Sequence, residues 1–237
     1  MTLYLPPLAQ DDVRFPPVTE ALDDPDGLLA IGGDLSSARL MSAYRNGIFP
    51  WFGEDDPLLW WSPSERAIIQ PTEFHASRSL QKAARKSGMT VTLNQAFERV
   101  IAICAEIRGP EQTWITHEMQ AAYCQLHHQG DAHSVEVWQG NTLVGGLYGV
   151  SVGAIFCGES MFSSTTNGSK FALWQFSQYF AHQGGQYIDC QMMTPHLASL
   201  GAQPWSRHTF IDALHAHRDR PIADGYPPQR LADWRIT

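Results

Sequence analysis

From Val137 to Gly158 the chain carries no charge, yet six glycines and the polar residues Gln139, Asn141, Thr142 and Ser151 interrupt the run. A membrane-spanning helix needs about 20 predominantly apolar residues, which this stretch does not supply. Turn signals at Gln139-Gly140-Asn141 and at Gly153 divide it into strands instead. Ser134–Trp138, Leu143–Val152 and Ile155–Phe162 therefore read as an antiparallel meander. Helical patterns precede it. One begins after Asp34 or Ser36 and stops at Asn46-Gly47; others start at Ser77, span Asn94–Ile107 and span Thr116–Gln129. Beyond the meander a helix is expected over Lys170–His182, with Leu173, Phe176 and Phe180 along one side, and then a strand over Tyr187–Met192. Strands, helix and strand in this order give an α+β class.

The chain has 237 residues, 43% hydrophobic and 17% charged, which excludes a mainly disordered polypeptide and leaves room for one large domain or a large and a small one. The net charge of −8 argues against a surface coated for nucleic-acid binding, but not against a local basic patch. Charge is unevenly placed: residues 1–60 hold ten acids and three arginines, whereas residues 66–108 hold seven basic groups and three acids. With the proline-rich boundary at Trp60-Trp61-Ser62-Pro63, this shift divides the sequence into a small N-terminal α/β domain, residues 1–64, and a larger domain, residues 65–237. The four cysteines are widely spaced and include no Cys-x-x-Cys pair, so they read as reduced, mostly buried thiols. No basic-then-apolar leader opens Met1–Pro7, and a cytoplasmic chain without membrane association is expected.

Two features open a nucleic-acid reading. Arg78, Lys82 and Lys86 recur at i, i+4 and i+8, so a helix sets them in one stripe with Arg85 beside it. No acidic i+4 partner accompanies the stripe, which is either a solvated face or a contact for a polyanion. The aromatic segments Phe49-Pro50-Trp51-Phe52 and Leu59-Trp60-Trp61 are either packing or a platform on which a base stacks.

Alternation along Tyr187–Met192 puts Tyr187, Asp189 and Gln191 on one face, and the same logic groups Ile155, Cys157, Glu159 and Met161. A carboxylate within an apolar strand costs free energy unless it is paired or used. Asp189 and Glu159 are therefore better functional candidates than the N-terminal acids; the alternative is a carboxylate tied to backbone amides or to a lysine such as Lys170. No His-Glu-x-x-His motif, phosphate loop or convincing nucleophile–histidine pair is present. Gly145-Gly146-Leu147-Tyr148-Gly149 opens no helix, and its glycines would let a ligand approach the backbone closely.

Taken in order, Gly27–Ser36, Gly47–Phe52, Trp60–Pro63, Thr113–Thr116, Phe156–Ser163, Ile188–Gln191 and Ser199–Ala202 resemble the leucyl/phenylalanyl-tRNA–protein transferase family, over roughly residues 15–205. The resemblance implies transfer of Leu or Phe, less readily Met, from aminoacyl-tRNA to a protein whose N-terminal residue is Arg or Lys. The product would be delivered to proteolysis that reads the N-terminal residue. It also implies that the larger domain resembles the acetyltransferase (GNAT) fold, with a mostly antiparallel sheet flanked by helices. The acetyl-CoA loop Arg/Gln-x-x-Gly-x-Gly/Ala is absent before Lys170, which argues for a different acyl donor.

Position by position, the resemblance puts the reaction centre on Glu159, Asp189 and Gln191, the adenine-stacking residue on Trp51, and Trp114 in the donor site. The donor side-chain pocket falls on Leu147, Phe156, Leu173, Phe176, Phe180 and Ile188, and the tRNA acceptor stem on Arg78, Lys82 and Lys86, with Arg85 adjacent. In this reading Gln191 positions the attacking amine, Asp189 holds Gln191 and stabilises charge developing on the amine, and Glu159 binds the donor's α-ammonium group. No metal, no bound organic cofactor and a monomer are expected. The rival readings are a transferase acting on a peptidoglycan precursor and an RNA-binding module without catalysis.

Overall fold

The structure is a computed structural model that describes residues 5–109 and 113–231. Its N-terminal part is a four-stranded sheet of β1 (Pro7–Leu8), β2 (Leu28–Gly32), β3 (Phe49–Pro50) and β4 (Leu59–Trp61), in the order β1-β2-β4-β3, with α1 (Ser37–Tyr44) between β2 and β3. Ser36 opens α1 as its cap, its hydroxyl accepting from the Arg39 amide at 3.3 Å. The chain leaves α1 through Gly47, whose left-handed φ of 73° and close approach to Ile211 leave no space for a side chain.

A second, eight-stranded sheet follows: β5 (Glu65–Ile69), β6 (Thr90–Leu93), β7 (Ala132–Gln139), β8 (Thr142–Val152), β9 (Ile155–Ser163), β10 (Tyr187–Asp189), β11 (Gln203–Ser206) and β12 (Gln229–Arg230). The order is β11-β5-β10-β9-β8-β7-β6-β12, and every neighbouring pair is antiparallel except β9 with β10. The uncharged stretch of the sequence supplies the end of β7, all of β8 and the start of β9, at the centre of this sheet. Its flanks, β5, β6, β11 and β12, are short strands that the alternation pattern does not reveal.

Helices cover both faces. On one, α3 (Phe97–Arg108) and α4 (His117–Gln129) bury Phe97, Val100, Met119, Tyr123 and Leu126 in a core with Tyr148, Val150, Ile155 and Cys157. That core also takes Leu29, Ala30, Phe49 and Trp60 from the small sheet, so both sheets pack around one apolar interior. On the other face, α5 (Gly168–His182) buries Leu173, Phe176 and Phe180 against Val135, Leu147, Phe156 and Ile188. The remaining α-helices of the described residues are α2 (Arg78–Ser87), α6 (Pro195–Ser199) and α7 (Arg207–His217). The glycines of β8 serve this packing rather than a ligand. A Cβ on Gly145 would stand 2.7 Å from the Gly168 backbone, and one on Gly149 would stand 2.2 Å from the Cys157 carbonyl.

Two irregularities overturn the expected alternation. β10 ends at Asp189, and Gln191 adopts a left-handed φ of 62°, so it does not continue the face of Tyr187 and Asp189. On β9 the pairing passes from Gly149–Gly158 to Tyr148–Ser160, which leaves Glu159 as an extra residue in a bulge. The bulge reverses the parity of the strand: Ile155 and Cys157 join the core under α3 and α4, whereas beyond it Phe162 takes that side and Met161 packs under α5. Met161 therefore does not share a face with Ile155 and Cys157.

None of the four cysteines is joined in a disulfide; Cys104 and Cys157 are buried and Cys124 and Cys190 half-buried. Among the described residues no helix is long and apolar enough to cross a membrane.

Candidate active site

Because β9 and β10 run parallel, with Asp189 opposite Cys157, the bulge on one and the turn after the other lie side by side. Gln191 Nε2 donates to Glu159 Oε1 at 2.7 Å. Glu159 Oε2 accepts from the Tyr123 hydroxyl at 3.0 Å, and Tyr123 in turn shares a short hydrogen bond with Tyr44 at the end of α1. All four side chains are buried. Burial disfavours the charged form and pushes the Glu159 carboxyl up to about 7, against the opposing hydrogen bonds from the tyrosines and Gln191. Burial pushes both tyrosines well above their ordinary range, so they remain neutral hydroxyls.

Asp189 stands behind this pair, fully buried. Its Oδ1 accepts from the Gln191 backbone amide at 2.9 Å and from Arg66 Nε at 3.2 Å, while Oδ2 takes Arg66 Nη2. The partner of this carboxylate is thus Arg66 of β5, not Lys170. Arg66 Nη1 donates to the Gly47 carbonyl at 2.6 Å, and the guanidinium lies 4.4 Å and 5.1 Å from the ring centres of Phe210 and Phe49. With its oxygens so engaged, Asp189 fixes the turn that aims Gln191 and does not itself line the cavity.

That cavity, of about 920 Å³, has Glu159 and Gln191 in its wall. Leu147, Phe156, Leu173 and Ile188 supply apolar lining. Phe176 and Phe180 do not reach it: Phe176 packs 4.4 Å behind Phe156, and Phe180 stacks on Phe176 at 5.4 Å. Trp51 and Trp114 also line the cavity, Trp51 with 41% of its surface exposed. The Trp61 indole N–H donates to the Trp51 carbonyl at 2.7 Å, and the two rings meet edge to face at 5.5 Å. The exposed acids Glu54, Asp55 and Asp56 complete the border, which no local sequence pattern singles out. Outside the cavity, Arg78, Lys82, Arg85 and Lys86 are all exposed on α2.

Arg66, Tyr44 and Tyr123 escape a reading of the sequence because each sits in an apolar pattern. Tyr123 shares its helix side with Met119 and Leu126, and Arg66 leads directly into Ala67-Ile68-Ile69. An arginine entering a strand that apolar is the one available hint of a buried ionic partner.

A family model described as leucyl/phenylalanyl-tRNA protein transferase matches residues 68–215, and a model of the N-terminal domain of the same transferase matches residues 33–64. The chain belongs to this family. Curated relatives named leucyl/phenylalanyl-tRNA–protein transferase include that of Photobacterium profundum, 53% identical over 232 residues, which are 98% of each chain. Another, from Aliivibrio salmonicida, is 52% identical over 98% of this chain and 100% of its own length. A third, from Erwinia tasmaniensis, is 53% identical over 97% of this chain and 100% of its own. Glu159, Asp189 and Gln191 lie in the larger transferase match, Tyr44 and Trp51 in the N-terminal one, and Arg66 between the two.

Proposed function

We propose that the chain transfers leucine or phenylalanine, and methionine less readily, from aminoacyl-tRNA to the N-terminal amine of proteins that begin with arginine or lysine. Such products would enter proteolysis that reads the N-terminal residue. The observation that carries the mechanism is the buried Glu159–Gln191 pair in the wall of a cavity that also offers apolar lining and an exposed tryptophan. We assign residues 1–64 and 65–237 as its two domains, the second GNAT-like. The mostly antiparallel sheet covered by helices on both faces supports that assignment. The working unit is a cytoplasmic monomer.

The reaction is aminolysis of an ester. The acceptor nitrogen bonds to the carbonyl carbon, the bond to the ribose oxygen breaks, and one proton passes from nitrogen to that oxygen. An α-amino group with a pKa of about 7.7–8.0 is about 10–20% neutral at pH 7, so no strong base is needed to make the nucleophile. Glu159, once ionised, anchors the donor's α-ammonium group. A carboxylate only accepts hydrogen bonds, so it turns the Gln191 NH₂ group towards itself and leaves the Gln191 amide oxygen to accept from the attacking amine. Asp189 acts through Gln191, by holding its backbone amide.

The apolar lining rejects charged donor side chains, which would lose hydration without gaining partners. The exposed face of Trp51 is a platform for the terminal adenine, with Trp114 beside the same cavity. Glu54, Asp55 and Asp56 provide a negative field suited to a cationic acceptor side chain. The exposed cations of α2 suit the phosphates of the acceptor stem, and phosphate contacts allow one face to serve several tRNAs.

The test is transfer of labelled Leu or Phe from its tRNA to a protein beginning with Arg, against a control beginning with Ala. Label is expected in the Arg protein alone. Labelling of neither protein, or of a peptidoglycan precursor instead, would overturn the reading.

A further inference from the structure

We propose that Arg66 is a positioning residue for the transfer, holding the adenine platform and the reaction centre in one frame. The inference rests on the transfer reading above. One guanidinium joins two segments that are remote in sequence. Through Nε and Nη2 it grips Asp189, whose Oδ1 also holds the Gln191 backbone amide at 2.9 Å. Through Nη1 it holds the Gly47 carbonyl at 2.6 Å, and its face lies against Phe49. From Phe49 the chain runs through Pro50 straight to Trp51, whose amide donates to the Leu59 carbonyl at 3.1 Å. A displacement of the guanidinium therefore moves both the stacking ring and the turn that aims Gln191.

Stability alone is a poor explanation for this arrangement. Arg66 is 2% exposed and Asp189 fully buried, and a buried ion pair is often matched or exceeded in stability by apolar residues of similar volume. What the pair supplies is direction: Gln191 sits at a left-handed φ of 62°, its carbonyl tied to the Ala67 amide of β5 at 3.1 Å and its own amide to Asp189, the carboxylate that Arg66 holds. Only a planar fork provides two donors to a carboxylate and a third to a carbonyl on another segment. A lysine keeps the charge but loses that geometry.

The experiment is a double-mutant cycle between Arg66→Lys and Trp51→Ala, in steady-state transfer with Phe-tRNA varied and folding checked by circular dichroism. Arg66→Lys is expected to lower kcat at least about tenfold and to raise the KM for Phe-tRNA about threefold or more. In the Trp51→Ala background the same substitution is expected to lower kcat equally while leaving KM unchanged, since the platform it governs is gone. Should Arg66→Lys fail to fold, Phe210→Leu takes its place, because it removes one ring from the guanidinium and leaves the ion pair intact. Its expected loss is about threefold in kcat with the same pattern in KM. A folded variant with kcat and KM within about twofold of wild type, or a KM change equal in both backgrounds, overturns the proposal. A wild-type protein that transfers no label refutes the transfer reading, and the role of Arg66 with it.

Discussion

Gln191 reaches across 32 positions of sequence to donate its side-chain amide to Glu159 at 2.7 Å. Both residues stand at breaks in regular structure, Glu159 in a bulge and Gln191 at a left-handed φ of 62°. Asparagine tolerates that backbone region, whereas a β-branched residue is strained there. Gln191→Val is therefore expected to lose about 1–2 kcal/mol more stability than Gln191→Asn in urea unfolding. Equal losses would mean that the turn relaxes freely.

Burial raises the Glu159 carboxyl from 4.5 to about 7. The folded chain favours the protonated form, so the contribution of this group is fully present below about pH 4.5 and is lost as pH rises through about 7. At 1.36 kcal/mol per unit the shift is worth about 3 kcal/mol. Glu159→Gln keeps the shape without the charge. It is expected to melt above the wild type at about pH 8, with the gap closing towards about pH 5, while losing donor binding. A gap that widens on acidification would reverse the assigned direction of the shift.

The basic face of α2 gives a separate expectation. Lys82→Ala with Lys86→Ala removes two exposed cations that lie off the cavity wall. Binding of Leu-tRNA should weaken, and the slope of log K against log salt should flatten by up to about 2. Transfer from a leucyl-adenosine donor, which lacks the acceptor stem, should stay within about twofold of wild type. Equal losses with both donors would move the cations from tRNA contact to a structural role.

Much of this molecule is legible in its sequence, for identifiable reasons. The meander β7–β9 follows from glycine turns in an uncharged run, and α1, α2 and α4 begin at the serine or threonine caps Ser36, Ser77 and Thr116. The resemblance to the transferase family named Glu159, Gln191, Trp51 and Trp114, and all four line one cavity. Period-2 alternation misplaced Met161 and Gln191, because it assumes an unbroken strand and neither the bulge at Glu159 nor the turn at Gln191 has a local signal. Phe176 and Phe180 share a helix side with Leu173, yet one further layer of packing separates them from the cavity. Tyr44 and Tyr123 leave no sequence signal, and Arg66 only the hint of a cation entering an apolar strand, because their partners come from distant elements and a polar group buried among apolar neighbours looks like core until its partner is in place.

The most direct measurement of the central claim is single-turnover transfer from prebound Phe-tRNA by the wild type and by Gln191→Ala. If Gln191 positions the attacking amine, the variant should transfer at least about a hundredfold more slowly, while its affinity for Phe-tRNA stays within about twofold. Equal transfer rates, or a loss accounted for by weaker donor binding alone, would contradict that claim.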